Sequence, residues 1–185
     1  MKPLLAVCAC ALLAACRPAP PPLPDFGAVP PFQLTDQNGR PFSPTQLAGH
    51  AWVANFIYTS CPGICPRMTS QMHEVQDAIA KLPEVRLVSF SVDPATDTPQ
   101  RLNAYARLHH AKDGVWYFLT GSQQTLQALD RDAFKLGNVD STLQHSSRFV
   151  LVDGNLRIRG YYDTSEADSI PRLIAGIEQL ETQKR

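Results

Sequence analysis

Ala51-Trp52-Val53-Ala54-Asn55-Phe56-Ile57-Tyr58-Thr59-Ser60-Cys61-Pro62-Gly63-Ile64-Cys65-Pro66 is the stretch on which the reading of this chain turns. Its first eight residues form a largely apolar run of strand length, the pattern of a buried strand. Beyond it, Met68, Met72, Val75, Ile79 and Leu82 recur at helical spacing, so a helix is predicted to follow the strand across the cysteine loop. The two cysteines, four positions apart, therefore fall at a strand-to-helix junction. Thiols at a helix N-terminus sit near the positive end of its dipole, which favours the thiolate. The thiolate is both nucleophile and metal ligand, so the junction points to redox or metal chemistry. A loop rich in Pro and Gly is a poor place to bury a thiol, which weighs against two inert core cysteines.

Outward from this junction the chain alternates. Phe32 to Gly39 reads as a short strand entering a polar turn, and Val85 to Val92 as a second buried strand ending in Asp93-Pro94. A helix is predicted from about Thr98 to His109, with Asp97 and Thr98 as candidate caps and Pro99 in its first turn. Val115 to Leu119 is a further strand, and Ser122 to Phe134 a helix with Leu126 and Leu129 inward. Phe149 to Val152 and Leu156 to Tyr162 form a hairpin across Asp153-Gly154-Asn155, and a last helix spans about Glu166 to Leu180. This order predicts an α/β thioredoxin-like fold, a central mixed sheet flanked by helices.

In open α/β sheets the site lies beyond the carboxyl ends of the strands, where Cys61 is expected. Asp93 ends the neighbouring strand on the same edge, and Asp93 and Asp97 read equally as turn and cap residues or as groups supporting a site. The edge also sorts the five histidines. His50 precedes the first core strand, and His109 and His110 end a crossover helix on the opposite edge. His73 lies about 12 Å down the helix from Cys65. His145 precedes a strand that a thioredoxin-like order runs antiparallel, so it alone belongs at the cysteine edge. Met68 and Met72 read as core filling rather than thioether ligands.

The N-terminus narrows the cysteine count. Lys2, the apolar run to Ala15 and Leu13-Ala14-Ala15-Cys16 describe a secretory signal whose last four residues resemble a bacterial lipobox. The apolar run is shorter than the roughly 20 residues that a spanning helix needs. Residues 1–15 are thus expected to be a signal peptide and 16–31 a lipidated Cys16 followed by a proline-rich tether; 32–185 would be the single thioredoxin-like domain. Of five cysteines only Cys61 and Cys65 would remain as thiols, in the oxidising compartment of a bacterial cell envelope, lipid-anchored with the domain on the extracytoplasmic side. That excludes a disulfide scaffold. Removing Lys2 and Arg17 from the 17 basic residues, and Asp25 from the 17 acidic, leaves 15 against 16. No basic stripe suggests nucleic acid.

Two thiolates and an imidazole form a soft, low-coordinate donor set, suited to Cu(I) and able to hold Cu(II) when the imidazole contributes. A structural zinc site would want four ligands, the fourth here a carboxylate. Copper is preferred, one ion per domain.

These residues also match a family. Cys61-Pro62-Gly63-Ile64-Cys65-Pro66, Ser91-Val92-Asp93-Pro94-Ala95-Thr96-Asp97-Thr98-Pro99, Trp116-Tyr117-Phe118-Leu119-Thr120-Gly121 and His145-Ser146-Ser147 resemble, in order, the Sco/SenC proteins. The resemblance implies a thioredoxin-like copper-binding protein that helps assemble the copper centre of cytochrome c oxidase. It implies copper ligation by Cys61, Cys65 and His145, and a reversible disulfide between the cysteines. The implied partner is a copper-accepting oxidase subunit or another periplasmic copper protein. A thiol:disulfide oxidoreductase acting on such a target's cysteines is the alternative; thioredoxin-type enzymes normally use Cys-x-x-Cys and a cis-proline, whereas no proline occurs between Pro99 and Pro171. A peroxiredoxin-like peroxidase fits less well, because no proline stands between Asn55 and Tyr58.

Overall fold

The computed structural model describes residues 20–137 and 146–183. Its strands are β1 (Leu34–Asp36), β2 (Pro41–Phe42), β3 (Trp52–Ile57), β4 (Arg86–Ser91), β5 (Trp116–Thr120), β6 (Arg148–Val152) and β7 (Ile158–Asp163). The helices are α1 (Cys65–Ala78), α2 (Pro99–Leu108), α3 (Gln123–Ala128) and α4 (Ser169–Gln183). All strands join one sheet in the order β2-β1-β5-β4-β3-β6-β7. β3, β4 and β5 are parallel, and β6 runs antiparallel to β3. This is the thioredoxin-like α/β arrangement.

The apolar run around Trp52 becomes the centre of the sheet because every residue of β3 is buried. Val53 and Ile57 face a layer that includes Met68, Met72 and Val75 of α1, Leu102 of α2 and Leu173 and Ile177 of α4. Trp52, Ala54 and Phe56 face the opposite layer, with Leu126, Leu129 and Phe134. Asn55, the polar exception, is answered across the sheet: Ser89 Oγ donates to Asn55 Oδ1 at 2.7 Å, and Trp116 Nε1 donates to Ser89 Oγ at 2.9 Å. A buried polar group costs stability unless it is paired, so three adjacent strands share one chain of bonds.

Helix ends follow their caps. Thr98 Oγ1 accepts the Arg101 N–H at 3.3 Å to start α2, and Ser122 Oγ accepts the Thr125 N–H at 3.1 Å to start α3. The helix expected to reach Phe134 instead widens into a π-helical turn over Leu129–Ala133. α4 starts at Ser169, later than expected, because the chain first turns through Glu166.

The proline-rich segment corrects the expected tether over 16–31. Its described part does not hang free. Val29 is buried in the core beside Phe32, and Leu23 packs against the other layer. Phe26 N–H donates to the Ile158 carbonyl at 2.9 Å, and Ile158 N–H to the Gly27 carbonyl at 2.8 Å. Arg159 reaches the Pro24 and Leu23 carbonyls at 2.7 and 2.6 Å while pairing with Asp153 at 2.8 Å. The segment covers the outer edge of β7, so the packed domain begins near Leu23. Among the described residues no helix is long and apolar enough to cross a membrane.

Candidate metal and thiol site

Cys65 opens the first turn of α1 and is fully buried; Cys61, in the loop above it, is half-buried. Both are free thiols, and the Cys65 thiol hydrogen-bonds Cys61 Sγ. Backbone N–H groups of Gly63 and Cys65 and the phenol of Tyr58 also point at Cys61 Sγ. Burial works against charge on Cys61, but these donors outweigh it and hold its thiol below the ordinary range. Cys65 goes the other way. Burial pushes its thiol well up, the contact with Cys61 adds to this, and a backbone N–H from Tyr58 only partly offsets it. The helix N-terminus therefore favours one thiolate, not two: the dipole is worth less than desolvation at Cys65. Tyr58 is itself pushed up to about 12, by its bond to Cys61 and then by burial.

Asp97 is fully buried behind the loop and does not cap α2. Thr59 Oγ1 donates to Asp97 Oδ1 at 2.6 Å, Ser91 Oγ donates to Oδ2 at 2.7 Å, and the Thr59 N–H lies 3.2 Å from both oxygens. Arg101 Nε donates to Thr59 Oγ1 at 2.9 Å. This carboxylate pins the cysteine loop to the end of β4. Asp93 is a turn residue whose carbonyl accepts the Thr96 and Asp97 N–H groups at 3.1 and 2.8 Å.

His145 lies outside the described residues, but the strand it precedes is oriented as expected. Ala54 pairs with Val150 and Trp52 with Val152, so Arg148 starts β6 at the carboxyl end of β3, beside the cysteine loop. The remaining histidines are elsewhere. His50 Nδ1 contacts the Glu84 carbonyl at 2.8 Å, at the other end of β3. His73 and His110 approach each other with rings 6.2 Å apart, and His109 packs on Tyr105. Met68 and Met72 are fully buried core residues. Among the described residues, no three His, Cys, Asp or Glu side chains are grouped to hold a metal, so neither Asp93 nor Asp97 joins the cysteines as a ligand. Sequence reasoning passed over Tyr58 and the Thr59–Asp97 link. Tyr58 read only as the last residue of an apolar run.

A half-exposed thiol over a buried partner, at the first turn of a helix on a thioredoxin-like sheet, defines a dithiol protein of that fold. Its family follows from comparison. Residues 23–181 match the SCO1/SenC family model, and the chain belongs to that family. Similar solved structures include a SCO1/SenC family lipoprotein from Bacillus anthracis, 30% identical, with a TM-score of 0.77 over 83% of this chain and 95% of that one. BsSco, described as a member of the Sco family of cytochrome c oxidase assembly proteins with a disulfide switch, is 30% identical, with a TM-score of 0.76 over 88% of this chain and 99% of its own. ScoI of Bradyrhizobium japonicum, solved with copper bound, is 26% identical, with a TM-score of 0.68 over 83% of this chain and 99% of its own. Sco proteins bind copper and take part in cytochrome c oxidase assembly.

Proposed function

We propose that this chain is a membrane-tethered copper chaperone that carries its cargo between Cys61, Cys65 and His145 to the copper centre of a cytochrome c oxidase subunit. The observation that carries this reading is the sulfur pair. Two soft donors already in hydrogen-bonding contact need little rearrangement to share one Cu(I) ion, and soft sulfur selects that ion. An imidazole at residue 145, one position before the described start of the β6 segment, would add the donor that Cu(II) prefers. The copper-bound relative from Bradyrhizobium japonicum supports copper as the cargo. Asp97 and Asp93 support the site from behind, through Thr59 and the turn after β4. Lipid on Cys16 would hold the domain at the outer side of a membrane, as the lipoprotein relative suggests.

The test is copper titration of the reduced chain with Cys8, Cys10 and Cys16 replaced by Ser, so that only the pair reports. Cys61→Ser or Cys65→Ser should abolish tight Cu(I) binding. His145→Ala should weaken Cu(II) far more than Cu(I). Unchanged Cu(II) affinity and spectrum in His145→Ala would remove that residue from the site. For the tether, mass spectrometry of the mature protein should find a lipid-modified Cys16 at its N-terminus; an unlipidated start elsewhere would reject it.

A second reading has its own observation. A thiol held low and half-exposed beside a buried partner is the arrangement of an attacking and a resolving cysteine. Such a pair would reduce a disulfide in the copper-accepting protein before metallation. Reduction of that target's disulfide by the dithiol form, lost in Cys61→Ser, is the expected outcome.

A further inference from the structure

The segment from Pro20 to Val29 straps the chain to the domain and fixes where it leaves. Val29 N–H donates to the Leu156 carbonyl at 2.8 Å, and Asp25 pairs with Arg157 at 2.9 Å. Arg159 holds the Leu23 and Pro24 carbonyls, and Gln179 Nε2 donates to the Pro21 carbonyl at 2.7 Å. Gln179 belongs to α4, which starts at the cysteine end of the sheet: β7 leads into it, and Asp163 of β7 pairs with Arg148 beside the cysteine loop. α4 finishes at the opposite end, where Leu180 and Gln183 line a cavity with Gly49 and Gly154. From Ser169 to Gln179 the helix rises about 15 Å, so the exit at Pro21 lies that far from the cysteine end. The cysteine loop projects beyond that end.

The strap also shortens the leash. From Cys16 to Pro21 the chain spans at most about 17 Å when fully extended. A free tether over 16–31 would reach roughly 50 Å and let either end of the sheet meet a membrane. With the strap seated, turning the cysteine end to the bilayer draws the leash taut, whereas resting the opposite end there leaves it slack. A taut chain loses conformational freedom, so the slack arrangement is favoured.

We propose that the strap orients the domain on its membrane: the end of the sheet away from the cysteines faces the lipid headgroups, and Cys61 faces the aqueous side. This rests on the lipidated Cys16 proposed above. The headgroup-facing end is polar, with Gly49, Glu84 and Asn155 exposed, which suits contact without insertion. At the other end Pro62, Ile64 and Pro66 are exposed around Cys61. The partner they fit is a protein whose own site stands off the bilayer by about the height of the sheet, roughly 20 Å for a strand the length of β3.

Phosphatidylcholine vesicles containing a maleimide-headgroup lipid read the orientation, because only a thiol that reaches the headgroups adds across the maleimide double bond. The full chain is purified from membranes, and mass spectrometry first establishes whether Cys16 carries lipid. One variant, Cys65→Ser, keeps Cys61 as its thiol; the other combines Asn155→Cys with Cys61→Ser and Cys65→Ser. Each rate is divided by the rate with a soluble maleimide, which removes differences in burial and acidity. On that scale the thiol at 155 should couple about tenfold faster than Cys61, since effective concentration collapses where a tether cannot span. A Gly/Ser spacer of about 15 residues between Ala19 and Pro20 keeps the strap and adds roughly 20 Å of average reach, and should bring the two within about threefold. Equal coupling in the parent, or a ratio unmoved by the spacer, would overturn the orientation while the lipid stood. A mature chain without lipid on Cys16 would overturn the tether reading, and the orientation with it.

Discussion

At the scale of single residues, the two cysteines divide one task. Cys61 collects N–H and O–H donors that favour its charge, whereas Cys65 is desolvated and stays a thiol. Only the thiolate alkylates, so their reactivities should separate with pH. In the reduced chain with Cys8, Cys10 and Cys16 replaced by Ser, iodoacetamide should modify Cys61 first. Its rate should rise with pH and level off below the range of an ordinary thiol, because a lowered value means more thiolate at each pH. Cys65 should stay slow to well above neutral pH, even in Cys61→Ser, because burial remains when its neighbour's sulfur is gone. Peptide mapping after timed quenching checks this, and equal rates for the two sites would refute the asymmetry. The sequence made Cys61 and Cys65 legible through their loop, because spacing and Pro/Gly content are local. Loop position also orders their exposure, because Cys65 lies further into the helix, but it does not show how far their acidities part. Burial of Cys65 depends on α1 packing against β3 and α2, and the donors to Cys61 come from a strand end and a turn whose geometry no local pattern encodes. Between its two readings, cap or site support, Asp97 stayed open for the same reason: Thr59, its main partner, lies 38 residues away.

At the scale of elements, strands and helices were readable wherever periodicity was long, as in the run from Ala51 to Tyr58 and the helix through Met68 and Val75. The reading failed where composition pointed one way and tertiary bonding another. Pro20-Pro21-Pro22 has the composition of an extended spacer. An extended chain is also what a sheet edge can bind, and the Leu23 and Pro24 carbonyls, Gly27 and Val29 are used by Arg159, Ile158 and Leu156. A chain beginning at Phe32 should therefore be less stable than one beginning at Pro20. It loses several hydrogen bonds, each worth about 1 kcal/mol net, and the burial of Val29. A loss of about 2 to 4 kcal/mol is expected in urea unfolding, or several degrees or more in melting temperature. Identical unfolding curves for the two chains would show that the segment contributes nothing to the fold. The covered edge has a second effect: it withholds the unpaired groups of β7 from pairing with another chain.

At the scale of the whole molecule, the proposed function asks one pair of sulfurs to serve two chemistries, and the fold would make them exclusive. The sheet fixes the end of β3, Asp97 fixes Thr59, and α1 fixes Cys65, so the two sulfurs meet at one point and nowhere else among the described residues. A disulfide between them would consume both donors. On the proposed ligand set, oxidation would remove the donors that carry most of the copper affinity and leave a lone imidazole from His145, which as a single ligand binds weakly. Oxidised protein should therefore lose tight Cu(I) binding altogether, while the reduced protein keeps it. The converse follows from the same shared atoms: copper held as proposed would occupy both sulfurs, and should protect Cys61 and Cys65 from alkylation and from oxidation by glutathione disulfide. The measurement is copper affinity of the two forms under anaerobic conditions, with thiol content determined before and after. Equal affinity in the oxidised and reduced forms would place the metal away from Cys61 and Cys65. The chaperone reading would then fall, whatever the fold and family of the chain.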